Sequence, residues 1–83
     1  MTPRQAQEII EDALLRVVPD ADLAGLATDA DVREVLEMDS LDFLGYVETL
    51  SATSGLRIEE DDYPAFTTVA GGAGFLAARA ETG

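Results

Sequence analysis

Ser40 is the side chain in this sequence most able to do chemistry, and its neighbours limit what that chemistry can be. It stands in Asp39-Ser40-Leu41 at the start of an apolar helical run, where the free N–H groups of a first helical turn can accommodate a phosphate-linked group. The chain has no cysteine and no histidine, which excludes an internal disulfide, a thiol nucleophile, a Ser-His triad and ordinary zinc sites. The remaining possibilities are chemistry by carboxylate side chains or chemistry by a cofactor that the chain acquires.

Ser40 also has a purely structural interpretation. Serine is among the commonest helix N-caps, and its hydroxyl would satisfy a free N–H of the first turn. The carboxylates of Asp39 and Asp42 favour a helix start through the helix dipole. Neither a base nor a Gly-x-Ser-x-Gly elbow accompanies Ser40, so an intrinsic hydrolase is disfavoured and we expect no enzyme activity. The tripeptide alone does not separate a cap from a functional serine.

The composition indicates a small folded domain with basic protein partners. The formal net charge is -12, from 17 acidic residues against 5 arginines, which repels nucleic acids and anionic lipid. An apolar share of 47% is too high for a disordered acidic tail. No stretch resembles a signal peptide or approaches the roughly 20 apolar residues that span a membrane. We expect one domain over residues 1–83, monomeric and cytoplasmic.

Helical spacing predicts an all-α bundle of three long helices and one short helix. The first helix begins near Pro3 and stops before Pro19, and a long connection over residues 19–39 holds a short helical turn around Asp31–Leu36. The helix that starts at Ser40 runs to about Thr53, because Ser54-Gly55 is a typical terminator.

The last third of the chain holds a short helix and a long one. The short helix follows the acidic run Glu59–Asp62, and Thr67 or Thr68 caps the final helix. That final helix contains Gly71, Gly72 and Gly74. Each glycine weakens a helix by roughly 1 kcal/mol relative to alanine, so we expect the helix to be loose or to start late.

The helix that begins at Ser40 has two apolar faces. Phe43, Tyr46, Val47 and Leu50 form the natural core stripe, and Leu41, Leu44, Gly45 and Ala52 lie on the opposite side, next to Glu48. A helix on a small bundle needs only one buried stripe. The second face is therefore either covered by the long connection or turned toward a partner.

Three segments, in order and at similar spacing, resemble the landmarks of the acyl carrier protein family. Leu36–Leu44 resembles the family's leucine-rich approach to Asp-Ser-Leu, and Ser54–Glu59 looks like its Phe-Gly-Ile-x-Ile-Pro turn. Phe66–Val69 is similar to the start of its final helix. Together they cover the chain from residue 31 to its end, and the first helix fits in length and pattern.

The resemblance implies a specific function. A phosphopantetheinyl transferase would attach 4′-phosphopantetheine from coenzyme A to Ser40, and the chain would carry acyl groups as thioesters in fatty-acid, polyketide or related specialised biosynthesis. Asp39 would help to position the serine or the transferase's metal. The partners would be the transferase and acyl-loading or acyl-processing enzymes, such as a ligase, acyltransferase or ketosynthase. The residues implied to contact them are Leu41, Asp42, Leu44 and Glu48.

Several positions depart from the family pattern. Glu37 stands where members typically have glycine, and positions often acidic on the serine-bearing helix hold Gly45, Ser51, Ala52 and Thr53. The acidic residues are concentrated instead in Glu59–Asp62, and the Tyr63-Pro64 pair that follows them is also atypical. These departures favour a dedicated carrier for one pathway over a housekeeping fatty-acid carrier.

Three alternatives remain open. A peptidyl or aminoacyl carrier would use the same serine, although Met38-Asp39 and the acidity argue against it. An unmodified acidic helical adaptor would bind a partner through the second apolar face. A metal site is weaker: Asp29-Ala30-Asp31 and Glu59–Asp62 supply oxygens but lack the glycine and final glutamate of an EF-hand loop, so helix-capping charge is favoured.

Overall fold

The computed structural model describes residues 1–82 of the chain, and these form a helical bundle. The elements in chain order are α1 (Pro3–Val17), α2 (Val32–Val35), α3 (Ser40–Ser54), a 3₁₀ helix (Glu60–Thr67) and α4 (Val69–Thr82). The part of the chain described contains no β-strand. The predicted all-α fold is confirmed: among residues 1–82 three helices are long and two are short, and α2 is the helical turn predicted within the long connection. Within residues 1–82 no helix is both long and apolar enough to cross a membrane.

Helix α1 begins with a reciprocal cap. The backbone N–H of Gln5 donates to Thr2 Oγ1 at 3.1 Å, and the N–H of Thr2 donates to Gln5 Oε1 at 2.9 Å. Such caps satisfy N–H groups that have no partner inside the helix. Pro3 occupies the first helical position, where its missing N–H costs nothing. The cap and the proline together set where the first long helix starts.

The core lies between α1, α3 and α4. Helix α1 packs against both of the others, and the 3₁₀ helix packs against α4. The predicted core stripe of α3 is confirmed, because all four of its residues are buried. Each fully buried large apolar side chain contributes roughly 1.5–3 kcal/mol. The buried hydrophobic residues are Ala6, Ile10, Ala13, Leu14, Val32, Met38, Phe43, Tyr46, Val47, Leu50, Phe66, Val69 and Leu76.

Helix α4 starts where Thr68 caps it. The N–H of Gly71 donates to Thr68 Oγ1 at 2.9 Å, whereas Thr67 Oγ1 donates to the carbonyl of Pro64. The expectation of a late start is wrong, because α4 begins at Val69 and continues through all three glycines. A Cβ on Gly72 would lie 2.8 Å from Ile10 Cδ1. Here glycine permits close packing of α4 on α1, and that packing offsets the low helix propensity.

The connection between α1 and α3 is tied to the bundle at both ends of α2. Val32 is fully buried, and Leu23, Leu26 and Leu36 pack against the core. The N–H of Ala70, in the first turn of α4, donates to the carbonyl of Thr28 at 2.9 Å. The predicted short helical turn is confirmed. The connection therefore presents α2 at a fixed place beside the start of α3.

Gly55 ends α3 as predicted. It adopts a left-handed backbone with φ 73°, and its N–H donates to the carbonyl of Ser51 at 2.9 Å. The Ser51 hydroxyl donates to the carbonyl of Leu56 at 2.8 Å. Glycine has no Cβ to clash in this conformation, which is why it is the common helix terminator. The turn brings Leu56 and Ile58 back onto the core.

Candidate functional site

The first turn of α3 is capped by Asp39 and not by Ser40. Asp39 Oδ1 accepts a hydrogen bond from the N–H of Asp42 at 2.8 Å, and Asp42 Oδ2 accepts one from the N–H of Asp39 at 3.3 Å. Ser40 is the first residue inside the helix. The purely structural interpretation of Ser40 as N-cap is therefore wrong, and Asp39 has a clear role in shaping the site.

Ser40 is exposed, and its hydroxyl has no hydrogen-bond partner among the described residues. The helical ladder starts with the N–H of Phe43, which donates to the carbonyl of Asp39 at 3.0 Å. The cap uses the N–H of Asp42. Within residues 1–82 the N–H groups of Ser40 and Leu41 are therefore left without a protein acceptor. A free hydroxyl and two free N–H groups are thus available at one helix end.

The segment that leads into Ser40 contains a left-handed residue. Glu37 has φ 53°, the one positive φ outside glycine in the part of the chain that the structure describes. This conformation costs an L-residue roughly 1–2 kcal/mol. Glu37 therefore holds a backbone conformation that favours glycine, although it carries a Cβ.

An open groove lies beside Ser40, between α2, α3 and the 3₁₀ helix. It consists of two adjoining cavities of about 350 Å³ and 370 Å³. Phe43 and Tyr63 form a T-shaped aromatic pair in it, with ring centroids 6.1 Å apart. The residues that line the two cavities are Arg33, Ser40, Phe43, Leu44, Glu60, Tyr63, Pro64 and Thr67.

Arg33 is a groove residue that the sequence interpretation missed. Its guanidinium carbon lies 5.1 Å from the centroid of the Phe43 ring, over the ring face. Sequence offered one indirect signal, because Arg33 is the single cation between Arg16 and Arg57. The contact itself joins residues on two different helices and could not be derived from helical spacing. Tyr63 and Glu60 were likewise singled out only by their unusual local sequence.

The second apolar face of α3 is not covered by the long connection. The exposed fraction of Leu41 is 78% and that of Leu44 is 41%. Glu48 is exposed and Asp42 is half-buried. Single exposed leucines are ordinary on protein surfaces, but these two belong to the turns that follow the free serine. Four residues predicted to contact partners therefore lie at or near the surface: Leu41, Asp42, Leu44 and Glu48.

The acidic run before Tyr63 caps the 3₁₀ helix. The N–H of Glu59 donates to Asp62 Oδ2 at 2.9 Å, and the Arg79 guanidinium lies 3.9 Å from the same carboxylate. In the part of the chain that the structure describes, no group of three or more acidic side chains is placed to hold a metal ion. The carboxylate of Asp62 instead caps the 3₁₀ helix and lies near the Arg79 guanidinium.

Tyr46 is buried next to the groove residue Phe43. Its phenol is fully buried and donates to the carbonyl of Phe66 at 3.2 Å. Burial raises the pKa of Tyr46 well above its ordinary value because the phenolate would lose its hydration. Phe43 packs edge-on against Tyr46, with centroids 5.6 Å apart. Phe43 therefore contacts both the groove residue Tyr63 and the buried Tyr46.

Comparison of the sequence with protein-family models gives no match, and neither a curated protein nor a solved structure matches the chain. What Ser40 does is therefore inferred from its surroundings and from the three sequence landmarks.

Proposed function

We propose that the chain is an acyl carrier protein in which Ser40 bears 4′-phosphopantetheine. The observation that carries the proposal is the exposed Ser40 hydroxyl at the first position of α3, left unused by the Asp39 cap and opening onto a groove. A serine needed only for capping would have its hydroxyl bonded to the first turn. The left-handed Glu37 and the three family landmarks support the same conclusion.

The residues around Ser40 fit a phosphodiester-linked group. The free N–H groups of Ser40 and Leu41 and the helix dipole favour an anion at this position, while the carboxylates of Asp39 and Asp42 oppose it. The groove supplies room beside the attachment point. When attached, the group would supply the terminal thiol that a chain without cysteine lacks.

In the modification, Ser40 Oγ attacks the phosphorus of coenzyme A that is nearer the pantetheine. The bond from that phosphorus to the bridging oxygen breaks, adenosine 3′,5′-bisphosphate leaves, and the hydroxyl proton passes to a base of the transferase. Asp39 contributes by capping the first turn, which leaves the Ser40 hydroxyl free of capping. No base from this chain is required.

The partners we propose are a phosphopantetheinyl transferase and cytoplasmic acyl-loading or acyl-processing enzymes. The acidic surface would steer their basic patches, and the contacts would weaken in high salt. Leu41 and Leu44 would pack against them, with Asp42 and Glu48 at the margin. Leu15 on α1 is another exposed leucine, so Leu15→Asp is a matched control for Leu41→Asp. We expect Leu41→Asp to slow modification about tenfold or more at low transferase concentration, and Leu15→Asp to leave the rate unchanged.

The proposal is tested by intact mass after incubation with coenzyme A, Mg²⁺ and a broad-specificity transferase. We expect the mass of one phosphopantetheine group to be added to the wild-type chain and to Ser51→Ala, whose serine lies at the other end of α3. Ser40→Ala should gain nothing. Absence of any addition to the wild type would overturn the proposal.

The exposed Leu41 also suits the second candidate, an unmodified acidic adaptor that binds a partner through the same face. An adaptor would keep its partner affinity in Ser40→Ala and would not require coenzyme A. A peptidyl or aminoacyl carrier would accept the same modification, and loading by an adenylating enzyme rather than an acyl-transferring one would identify it.

A further inference from the structure

Arg33 is an arginine without a carboxylate partner in a chain with 17 acidic residues. Arg4, Arg57 and Arg79 each lie within 4.0 Å of a carboxylate, but Arg33 makes no such pair with any residue that the structure describes. Its guanidinium instead lies over the ring of Phe43. A guanidinium that lies over an aromatic face still has its N–H donors free to bind an anion.

The backbone holds Arg33 in this place from both sides. The N–H of Arg33 donates to the Asp31 side chain at 2.8 Å, and the carbonyl of Arg33 accepts from the N–H of Met38 at 2.9 Å. The Met38 bond ties Arg33 to the residues that lead directly into Ser40. Beneath the guanidinium, Phe43 is only 6% exposed and is fixed in the core. The backbone of Arg33 is therefore held by hydrogen bonds on both sides, and its exposed side chain lies over a buried ring that lines the same cavity as Ser40.

The charges around Ser40 indicate that Arg33 has a role in attracting an anion. Any anion on Ser40 would lie between the carboxylates of Asp39 and Asp42, which repel it. Among the residues that line the cavity next to Ser40, Arg33 is the one cation. Glu60 in the same lining is acidic, so Arg33 is the one full positive charge there that would attract an anionic group.

We propose that Arg33, seated over Phe43, binds an anionic oxygen of the group attached to Ser40 and positions that group in the groove toward Tyr63. This inference rests on the proposed function of Ser40. The anionic oxygen belongs either to the phosphodiester or to a carboxylate on the acyl cargo, and a guanidinium recognises both by the same paired N–H donors. Arg33 is thus a positioning residue rather than a catalytic one.

The experiment uses the full chain modified with propionyl-coenzyme A or with malonyl-coenzyme A labelled with ¹³C at its carboxylate. The variants are Arg33→Gln, Arg33→Lys and the control Arg16→Gln, which removes the same charge from α1 outside the groove. Circular dichroism establishes that each variant is folded. The readouts are the ³¹P resonance of the phosphodiester and the pH titration of the labelled carboxylate.

If Arg33 binds the phosphodiester, Arg33→Gln will shift the ³¹P resonance in both loaded forms. If it binds the cargo, Arg33→Gln will raise the pKa of the malonyl carboxylate and leave ³¹P unchanged. In either case Arg33→Lys should restore part of the wild-type signal and Arg16→Gln should resemble the wild type. Identical signals for Arg33→Gln and Arg16→Gln would overturn the inference and leave the proposed function standing. Failure of the wild type to gain mass would overturn both.

Discussion

Asp39 and Asp42 accept hydrogen bonds from each other's backbone N–H groups, at 2.8 and 3.3 Å, and Ser40 lies between them without taking part. The reciprocal pair satisfies two backbone donors at the start of α3, so the intervening serine is released from the capping role that serine usually fills. The cap of the helix and the free hydroxyl thus belong to different residues.

This division predicts different effects on stability for two neighbouring substitutions. Asp39→Ala should lower the free energy of unfolding by about 1 kcal/mol, because the N–H of Asp42 loses its acceptor. Ser40→Ala should change it by less than about 0.5 kcal/mol, because no hydrogen bond is lost at that surface position. Urea unfolding of the unmodified protein, followed by circular dichroism, measures both. Asp39→Ser should restore most of the cap, and an equal loss in Ser40→Ala and Asp39→Ala would show that the serine hydroxyl shares in capping.

Two glycines of α4 should change the stability of the protein in opposite directions when each is replaced by alanine. A Cβ on Gly72 would lie 2.8 Å from Ile10 Cδ1 and 3.0 Å from Phe66 Cδ1, whereas a Cβ on Gly74 would meet nothing within 4 Å. We expect Gly72→Ala to lower the free energy of unfolding by about 1–3 kcal/mol through overpacking. Gly74→Ala should raise it by up to about 1 kcal/mol through helix propensity. Thermal and urea unfolding of the pair measure this, and a stabilised Gly72→Ala would contradict the close packing of α1 and α4.

Glu37 should be a position where glycine stabilises the protein. Its φ of 53° is strained for any residue with a Cβ. Glu37→Gly removes that strain but increases the freedom of the unfolded chain, so we expect a net gain of about 0.5–1 kcal/mol in the free energy of unfolding.

Glu37→Ala is the control for that gain, since it removes the same carboxylate and keeps the Cβ. It should leave the free energy of unfolding unchanged or slightly lower. If Glu37→Ala and Glu37→Gly gained equally, loss of charge repulsion would be the cause and backbone strain would not.

Alkaline pH should destabilise the protein through Tyr46. Burial raises the pKa of Tyr46 in the folded state, while an unfolded tyrosine ionises near pH 10. Below about pH 10 both states hold the proton and stability is unaffected; above it the unfolded state loses the proton first, so the free energy of unfolding falls by about 1.4 kcal/mol per pH unit. The chain has no cysteine, no histidine and only arginine as its basic side chain, so few other groups titrate there.

Tyr46→Phe provides the comparison for this pH dependence. At neutral pH it should cost about 1 kcal/mol, because the carbonyl of Phe66 loses its phenol donor. Above pH 10 its free energy of unfolding should fall less steeply than that of the wild type. Parallel pH profiles for the two proteins would mean that Tyr46 ionises as easily in the folded state as in the unfolded one.

Sequence periodicity predicted the features that depend on local pattern. The end of α3 at Gly55 and the buried stripe from Phe43 to Leu50 follow from helix geometry and glycine's freedom, which act over a few residues. The N-cap could not be assigned from the sequence because Asp39 and Ser40 are both good caps, and only the helix start decides between them. The start of α4 was wrong because helix propensity ignores the contact of Gly72 with Ile10, which lies far away in the chain.

The same limit applies to the site. Ser40 could be found from its own tripeptide and the landmarks after it. The position of Arg33 over the ring of Phe43 could not be found in this way. It depends on how the packing of the whole connection between α1 and α3 places α2 against α3.

The aromatic pair in the groove has an optical consequence. The chain contains no tryptophan and only two tyrosines, of which Tyr46 is shut off from solvent and Tyr63 borders the groove beside Ser40. A quencher dissolved in the solvent will reach Tyr63 and not Tyr46, so the quenchable part of the ultraviolet emission reports on one side chain. The protein thus contains its own label-free reporter of whether the groove is filled.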